Sequence, residues 1–127
     1  MTPRALMTEY LTAARRGDWD TAFGFFADDL EVRIPGRGPF AGRHRGKAAA
    51  VDYISTVRER FAGRIELELI DMLASDDRVV LVVRERFLTD GDPIEIHRAN
   101  AYRVRDGRIV GIAIFEGDQY VVDERLH

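Results

Sequence analysis

The sequence predicts an α+β fold in which three helices pack across the concave face of a curved, mostly antiparallel sheet. Two observations carry this. Apolar residues recur at helical spacing only in the first half of the chain, whereas from Arg64 onward they follow a period of two. The clusters SDD, TDGDP and RDG then cut that second half into four strands, a meander that follows the helices instead of alternating with them. A strongly curved sheet of this kind leaves a cone-shaped cavity, and the stretch from Tyr10 to Pro35 is expected to close one mouth of it.

Each element has a local reason. Thr2 caps a helix with Pro3 at its first position, and Leu6, Tyr10, Leu11 and Ala14 share a face until Gly17 ends it, so Tyr10 points inward. Asp18 caps a second helix with Trp19, Ala22, Phe23 and Phe26 along one side, reaching the Asp28-Asp29 pair. Leu30 to Ile34 reads as a short strand closed by Pro35-Gly36. The following GRGPFAGRHRG is rich enough in Gly and Pro to be read as loop. Lys47 to Phe61 forms the third helix, with Ala50, Ile54, Val57 and Phe61 on one face. The four strands are Ile65 to Leu73, Arg78 to Leu88, Ile94 to Val104 and Arg108 to Glu116, and DQYVVDERL adds a turn or two of helix.

Composition narrows the function. The 127 residues suit one domain spanning the whole chain, and without cysteine there is no disulfide, thiolate nucleophile or cysteine metal site. No apolar run approaches the roughly 20 residues that span a bilayer, so a soluble, cytoplasmic protein is expected. The 19 basic residues are interleaved with 22 acidic ones at a net charge of -3, a poor match for nucleic acid. His44 lies in the Gly-rich loop, His97 on the convex face and His127 at the terminus, a spacing that suits neither a metal nor a triad. Ser55 and Ser75 have no histidine near them. No metal or cofactor is expected.

Strand register decides what enters the cavity. The last hairpin is open between a two-residue turn at Asp106-Gly107 and a three-residue loop that includes Arg105. The longer loop is preferred because it groups Val110, Ile112 and Ile114 with Asn100 and Tyr102 and sends Gly111 and Ala113 to the convex side. On that register Arg84, Arg86, Arg98, Asn100, Tyr102 and Glu116 face inward. Leu81, Val83, Phe87, Ala99, Ala101, Gly111 and Ala113 face outward, as an apolar patch expected to bury against a second copy in a homodimer.

The segments EYLTAARRGDWDTAFGFFADDLEVRIPG and YRVRDGRIVGIAIFEGDQY, with a third helix and a meander between them, resemble the SnoaL-like branch of the NTF2-like superfamily, which includes ketosteroid isomerases, limonene epoxide hydrolases and polyketide cyclases. The motifs GDW, FADD and RDGRI mark the fold and leave the reaction open. The resemblance implies a cone-shaped fold around a small-molecule pocket. In ketosteroid isomerases a first-helix tyrosine and an acid in the penultimate strand stabilise an enolate, and Tyr10 and Asn100 hold those places. The isomerase base, an aspartate before the strand-ending proline, is Ile34 here. Of the Arg-x-Asp and last-strand aspartate of the epoxide hydrolases only Arg84 remains, with Arg86 and Ile114 in place of the acids. Glu116, one inward position beyond the cyclases' aspartate, is the remaining candidate base.

These assignments make Tyr10, Asn100 and Glu116 the candidate catalytic residues, with Trp19, Phe26, Arg33, Ile34, Arg84, Arg98 and Ile114 lining the ligand pocket. Arg84 opposite Arg98 would put like charges ~5 Å apart, calling for an internal carboxylate such as Glu116 or Glu31, or for an anionic or enolisable ligand. Two classes of function remain open: a cofactor-independent isomerase or cyclase, and a binding protein or scaffold on the same fold.

Overall fold

The computed structural model describes residues 1–126. It contains α1 (Pro3–Arg15), α2 (Trp19–Phe23), β1 (Phe26–Ile34), β2 (Gly42–Arg45), α3 (Lys47–Arg60), β3 (Ile65–Ala74), β4 (Arg78–Phe87), β5 (Ile94–Arg105), β6 (Arg108–Glu116) and α4 (Gln119–Arg125). The strands form one six-stranded sheet in the order β2-β1-β6-β5-β4-β3, antiparallel except where β1 runs parallel to β6. This is the expected α+β architecture, including the short helix at DQYVVDERL, with an added edge strand. Among the described residues no helix is long and apolar enough to cross a membrane.

The caps fall where the sequence puts them. The Thr2 hydroxyl accepts from the Ala5 amide at 3.1 Å, and the Asp18 carboxylate accepts from the Thr21 amide at 3.3 Å. Between them Gly17 turns with φ +73°, a conformation in which a side chain is strained. The α2 helix ends at Phe23, not at the Asp28-Asp29 pair, because Phe26 is drawn into the core and pairs with Ile109. Residues 42–45, read as loop, form an edge strand against β1. That pairing is carried by backbone groups, with an ion pair between the opposed Arg45 and Glu31 at 3.7 Å beside it, and it completes hydrogen bonds that β1 would otherwise leave open.

The β5–β6 hairpin has the two-residue turn, with Asp106 at φ +52° and Gly107 at φ +72°, instead of the preferred three-residue loop. The shorter turn alone would invert β6. A β-bulge then restores the register: Val104 faces Ile109, Arg103 faces Gly111, and Val110 is the extra residue. Ile112 and Ile114 therefore point inward as expected.

One face assignment is reversed. In β4, Val83 rather than Arg84 lies opposite Arg98, and Arg84 lies opposite His97. Leu81, Val83 and Phe87 are buried on the concave side, while Arg84 and Arg86 stand on the convex side among Glu66, Glu68 and Glu95. The cause is the apolar run Val79 to Val83, which hides the period of two. The convex face keeps Ala99, Ala101, Gly111 and Ala113, joined by Val80, Val82 and the exposed Phe115.

The main core joins α1, α2 and the sheet through Leu6, Met7, Tyr10, Phe26, Leu30, Leu81 and Ile109. A second cluster, Phe61, Phe87, Ile94, Ile96, Val122 and Leu126, seats α4 over the end of α3. Between the helices and the sheet the core is hollow.

Candidate functional site

The hollow is a cavity of about 470 Å³ between α1, α3 and the sheet, a volume typical of small-molecule sites. Its exposed lining residues Arg15, Gly17 and Gly63 mark the mouth, where Trp19 and Arg58 are half-buried. The walls are mostly apolar, with Leu11, Ile54, Val57, Leu67, Ile112 and Ile114 among them. The interior polar groups are Tyr10, Tyr53, Glu85, Arg98, Asn100 and Tyr102. The rings of Tyr10 and Tyr102 lie 6.1 Å apart, with Phe26 behind Tyr10 at 5.7 Å.

Arg98 organises the polar end. Its side chain is 7% exposed, and its guanidinium donates from Nε at 3.0 Å and from Nη2 at 2.5 Å to the two oxygens of Glu116, itself 3% exposed. Nη1 reaches Glu85 at 3.5 Å. A two-pronged contact with one carboxylate and an edge contact with another is the geometry a buried arginine needs to offset its lost hydration. Burial alone would lower the Arg98 pKa, but Glu85, Tyr53 and Glu116 hold it above the ordinary value, so it stays a cation.

The two carboxylates differ in what they can do. Glu116 has both oxygens engaged by Arg98 and lines a separate cavity of about 110 Å³ beside Ile34, Phe40 and Val122. It is absent from the lining of the larger one. Glu85 lines the larger cavity, and burial raises its pKa more than the Arg98 charge lowers it. The phenols of Tyr10, Tyr53 and Tyr102 are also raised, in each case mainly by burial, and so remain neutral donors.

Two polar atoms of lining residues are enclosed without a hydrogen-bond partner: Trp19 Nε1 and Asn100 Oδ1. Leaving a buried donor or acceptor unpaired costs roughly 1–3 kcal/mol. Both therefore stand to gain from a guest with complementary groups.

The residues expected from the sequence divide as follows. Tyr10, Asn100, Trp19, Arg98 and Ile114 meet in the larger cavity, and Glu116 and Ile34 line the smaller one. Phe26 lies in the core behind Tyr10, Arg33 is exposed on β1, and Arg84 pairs with Glu68 at 2.7 Å on the far side of the sheet. The buried Glu116 thus neutralises Arg98 and the surface Glu68 neutralises Arg84, whereas Glu31, the other carboxylate expected to do so, pairs with Arg45 at 3.7 Å. Glu85 was missed because of the inverted face of β4. Its signal was present, for Val79, Leu81, Val83 and Phe87 leave Glu85 as the only charge on the apolar side of the strand. The Nε2 of His44 is bonded to the Phe40 carbonyl at 2.6 Å, His97 is exposed on the convex face, and His127 lies outside the described residues. Among the described residues no group of three or more acids and histidines is placed to hold a metal.

Comparison with known proteins agrees with this architecture. Uncharacterized proteins of Mycobacterium tuberculosis and Mycobacterium bovis are 29% identical over 114 residues, covering 89% of this chain and 87% of theirs. A Xanthomonas campestris protein of unknown function with a cystatin-like fold superimposes with a TM-score of 0.87 at 27% identity, covering 97% of this chain and 96% of that one. An NTF2-like protein from Burkholderia xenovorans does so with 0.75 at 24% identity, covering 97% and 94%. Bal32a, from a soil-derived mobile gene cassette, gives 0.89 at 23% identity, covering 98% and 95%. The SnoaL-like domain profile matches residues 7–112, and with the helices, sheet and cavity just described the chain belongs to the SnoaL-like family of NTF2-like folds.

Proposed function

We propose that the larger cavity is the active site of a cofactor-independent isomerase or cyclase that works through an enolate, with Glu85 as the base. The observation that carries this reading is that Glu85 is the only carboxylate lining the cavity among the described residues, where burial raises its pKa. In the step proposed, Glu85 takes a proton from the carbon beside a carbonyl. The C–H electron pair moves into the carbonyl to give an enolate oxygen, which Tyr10 and the Asn100 amide stabilise by donating hydrogen bonds. Returning the proton to another carbon completes an isomerisation, and attack of the enolate carbon on a second carbonyl closes a ring. Arg98 is a positioning residue, since it holds Glu85 at one end and is itself held by Glu116.

Glu116, the base expected from the sequence, does not serve in this scheme because Arg98 engages both of its oxygens. The test is exchange of the α-hydrogens of 2-tetralone with deuterated water, followed by NMR. The protein should accelerate exchange, and Glu85→Gln should lose at least ~100-fold of that acceleration. The second reading, binding without chemistry, is favoured by Ile34, an apolar residue where isomerases carry their base. It takes over if 2-tetralone binds but exchanges no faster than in buffer. The convex patch supports a further proposal, that two copies pair through that face as a homodimer.

A further inference from the structure

The mouth of the larger cavity carries a charge pattern that the proton-transfer scheme does not use. Arg15 and Arg58 are the only charged residues of the lining at this end. Neither makes an ion pair among the described residues, in contrast to Arg84, Arg86 and Arg98. The Arg58 guanidinium lies 4.4 Å from the centre of the Trp19 ring, which holds it over the opening, and the indole Nε1 is enclosed without an acceptor. At the inner end the lining carries Glu85, its sole carboxylate among the described residues, beside Arg98, whose donors are already taken by Glu85 and Glu116. The cavity is therefore asymmetric, with two unpaired cations outside, a cation already satisfied by carboxylates inside and apolar walls between.

From this we infer that the ligand is an amphipathic carboxylic acid, bound with its carboxylate at the mouth between Arg15 and Arg58 and its apolar, reacting end inside. The opposite orientation would put the carboxylate against Glu85 and beside an Arg98 whose donors already serve Glu116 and Glu85, and would leave both mouth arginines without a partner. An arginine fixed over an aromatic face keeps its outer N–H groups free for a planar carboxylate. The inference rests on the larger cavity being the ligand site and does not need the proton transfer.

Trp19 is the sole tryptophan of the chain, so its emission reports what enters the mouth. The experiment titrates the protein with 4-phenylbutanoate and with 4-phenylbutanamide, its neutral counterpart, following Trp19 emission and calorimetric heat. The wild type should prefer the acid about tenfold at roughly 20 mM salt, as two partly exposed ion pairs allow, and the preference should shrink at roughly 0.5 M salt. In the double variant Arg15→Gln with Arg58→Gln the preference should vanish while the amide binds within about twofold of wild type. Equal affinity for the two probes, a preference that survives in the double variant, or no binding of either probe up to millimolar concentration overturns the inference. The two readings fail separately. An acid preference without 2-tetralone exchange removes the enzyme and keeps this site, and exchange without an acid preference does the reverse.

Discussion

Replacing Arg98 by Met keeps most of the side-chain volume and removes the cation that two buried carboxylates share. Glu116 would lose both its guanidinium contacts, at 3.0 and 2.5 Å, and Glu85 the one at 3.5 Å. Breaking a buried pair by deleting one partner costs about 3–5 kcal/mol, because the remaining charge stays in the interior without compensation. The unfolding entropy near the melting temperature is about 2.1 cal/mol/K per residue. For 127 residues that is about 0.27 kcal/mol per kelvin, so the loss corresponds to a fall of roughly 11–19 °C in melting temperature. The sign with pH follows from Glu85. Its pKa is already raised by burial and would rise further without Arg98. A raised acid contributes stability that is fully present below its unfolded value and lost as pH rises through the folded one. The gap between wild type and variant should thus be smallest in acid and widest at neutral pH and above. Thermal melts of both proteins from acidic to mildly alkaline pH read it directly. Adding Glu85→Gln and Glu116→Gln to the variant should recover much of the loss, since no uncompensated charge then remains. A gap below ~1 kcal/mol at neutral pH, or one that does not change with pH, would refute the reasoning.

The same geometry yields further expectations. Glu85→Gln should melt higher than wild type at neutral pH and converge with it in acid, because its charge is held in the fold against burial; scanning calorimetry at two pH values checks this. Tyr10→Phe should slow 2-tetralone exchange less than Glu85→Gln does, by about tenfold, since Asn100 still donates to the enolate. If the convex face pairs two copies, Ala101→Glu should convert the dimer to monomer in sedimentation by placing an unpaired charge at the contact. A wild type that sediments as a monomer at micromolar concentration rejects that assembly.

The fold was legible because its signals are local. Thr2, Asp18 and Gly17 punctuate the helices, and the alternation of β5 places Arg98, Asn100 and Tyr102 together on the buried face without help from any other strand. Half of the site follows from those elements. What escaped depends on neighbours. The end of α2 was set by a partner strand some eighty residues away, and β2 exists only because β1 needs an edge partner. In β4 the run Val79 to Val83 carries no alternation, and extending to it the register chosen at the last hairpin placed Arg84 inside and Glu85 outside. The simpler rule, that two of three consecutive charges face water, would have found the carboxylate.

The β5–β6 hairpin makes the inward set of β6 a question of parity. The turn at Asp106-Gly107 is one residue shorter than the loop that would align β6 directly, and looping out Val110 makes up the difference, so that Ile112, Ile114 and Glu116 reach their places. Pairing continued from the same turn without the bulge would present Ala113 and Phe115 to the cavity and send the isoleucines outward, whereas deleting Val110 itself would straighten the strand and leave every pair beyond it unchanged. The face that β6 presents is therefore set by which residue is looped out, and not by the length of the hairpin alone. A hairpin at the surface, where insertions are usually cheap, thus carries the alignment of the core it feeds in a single bulged position.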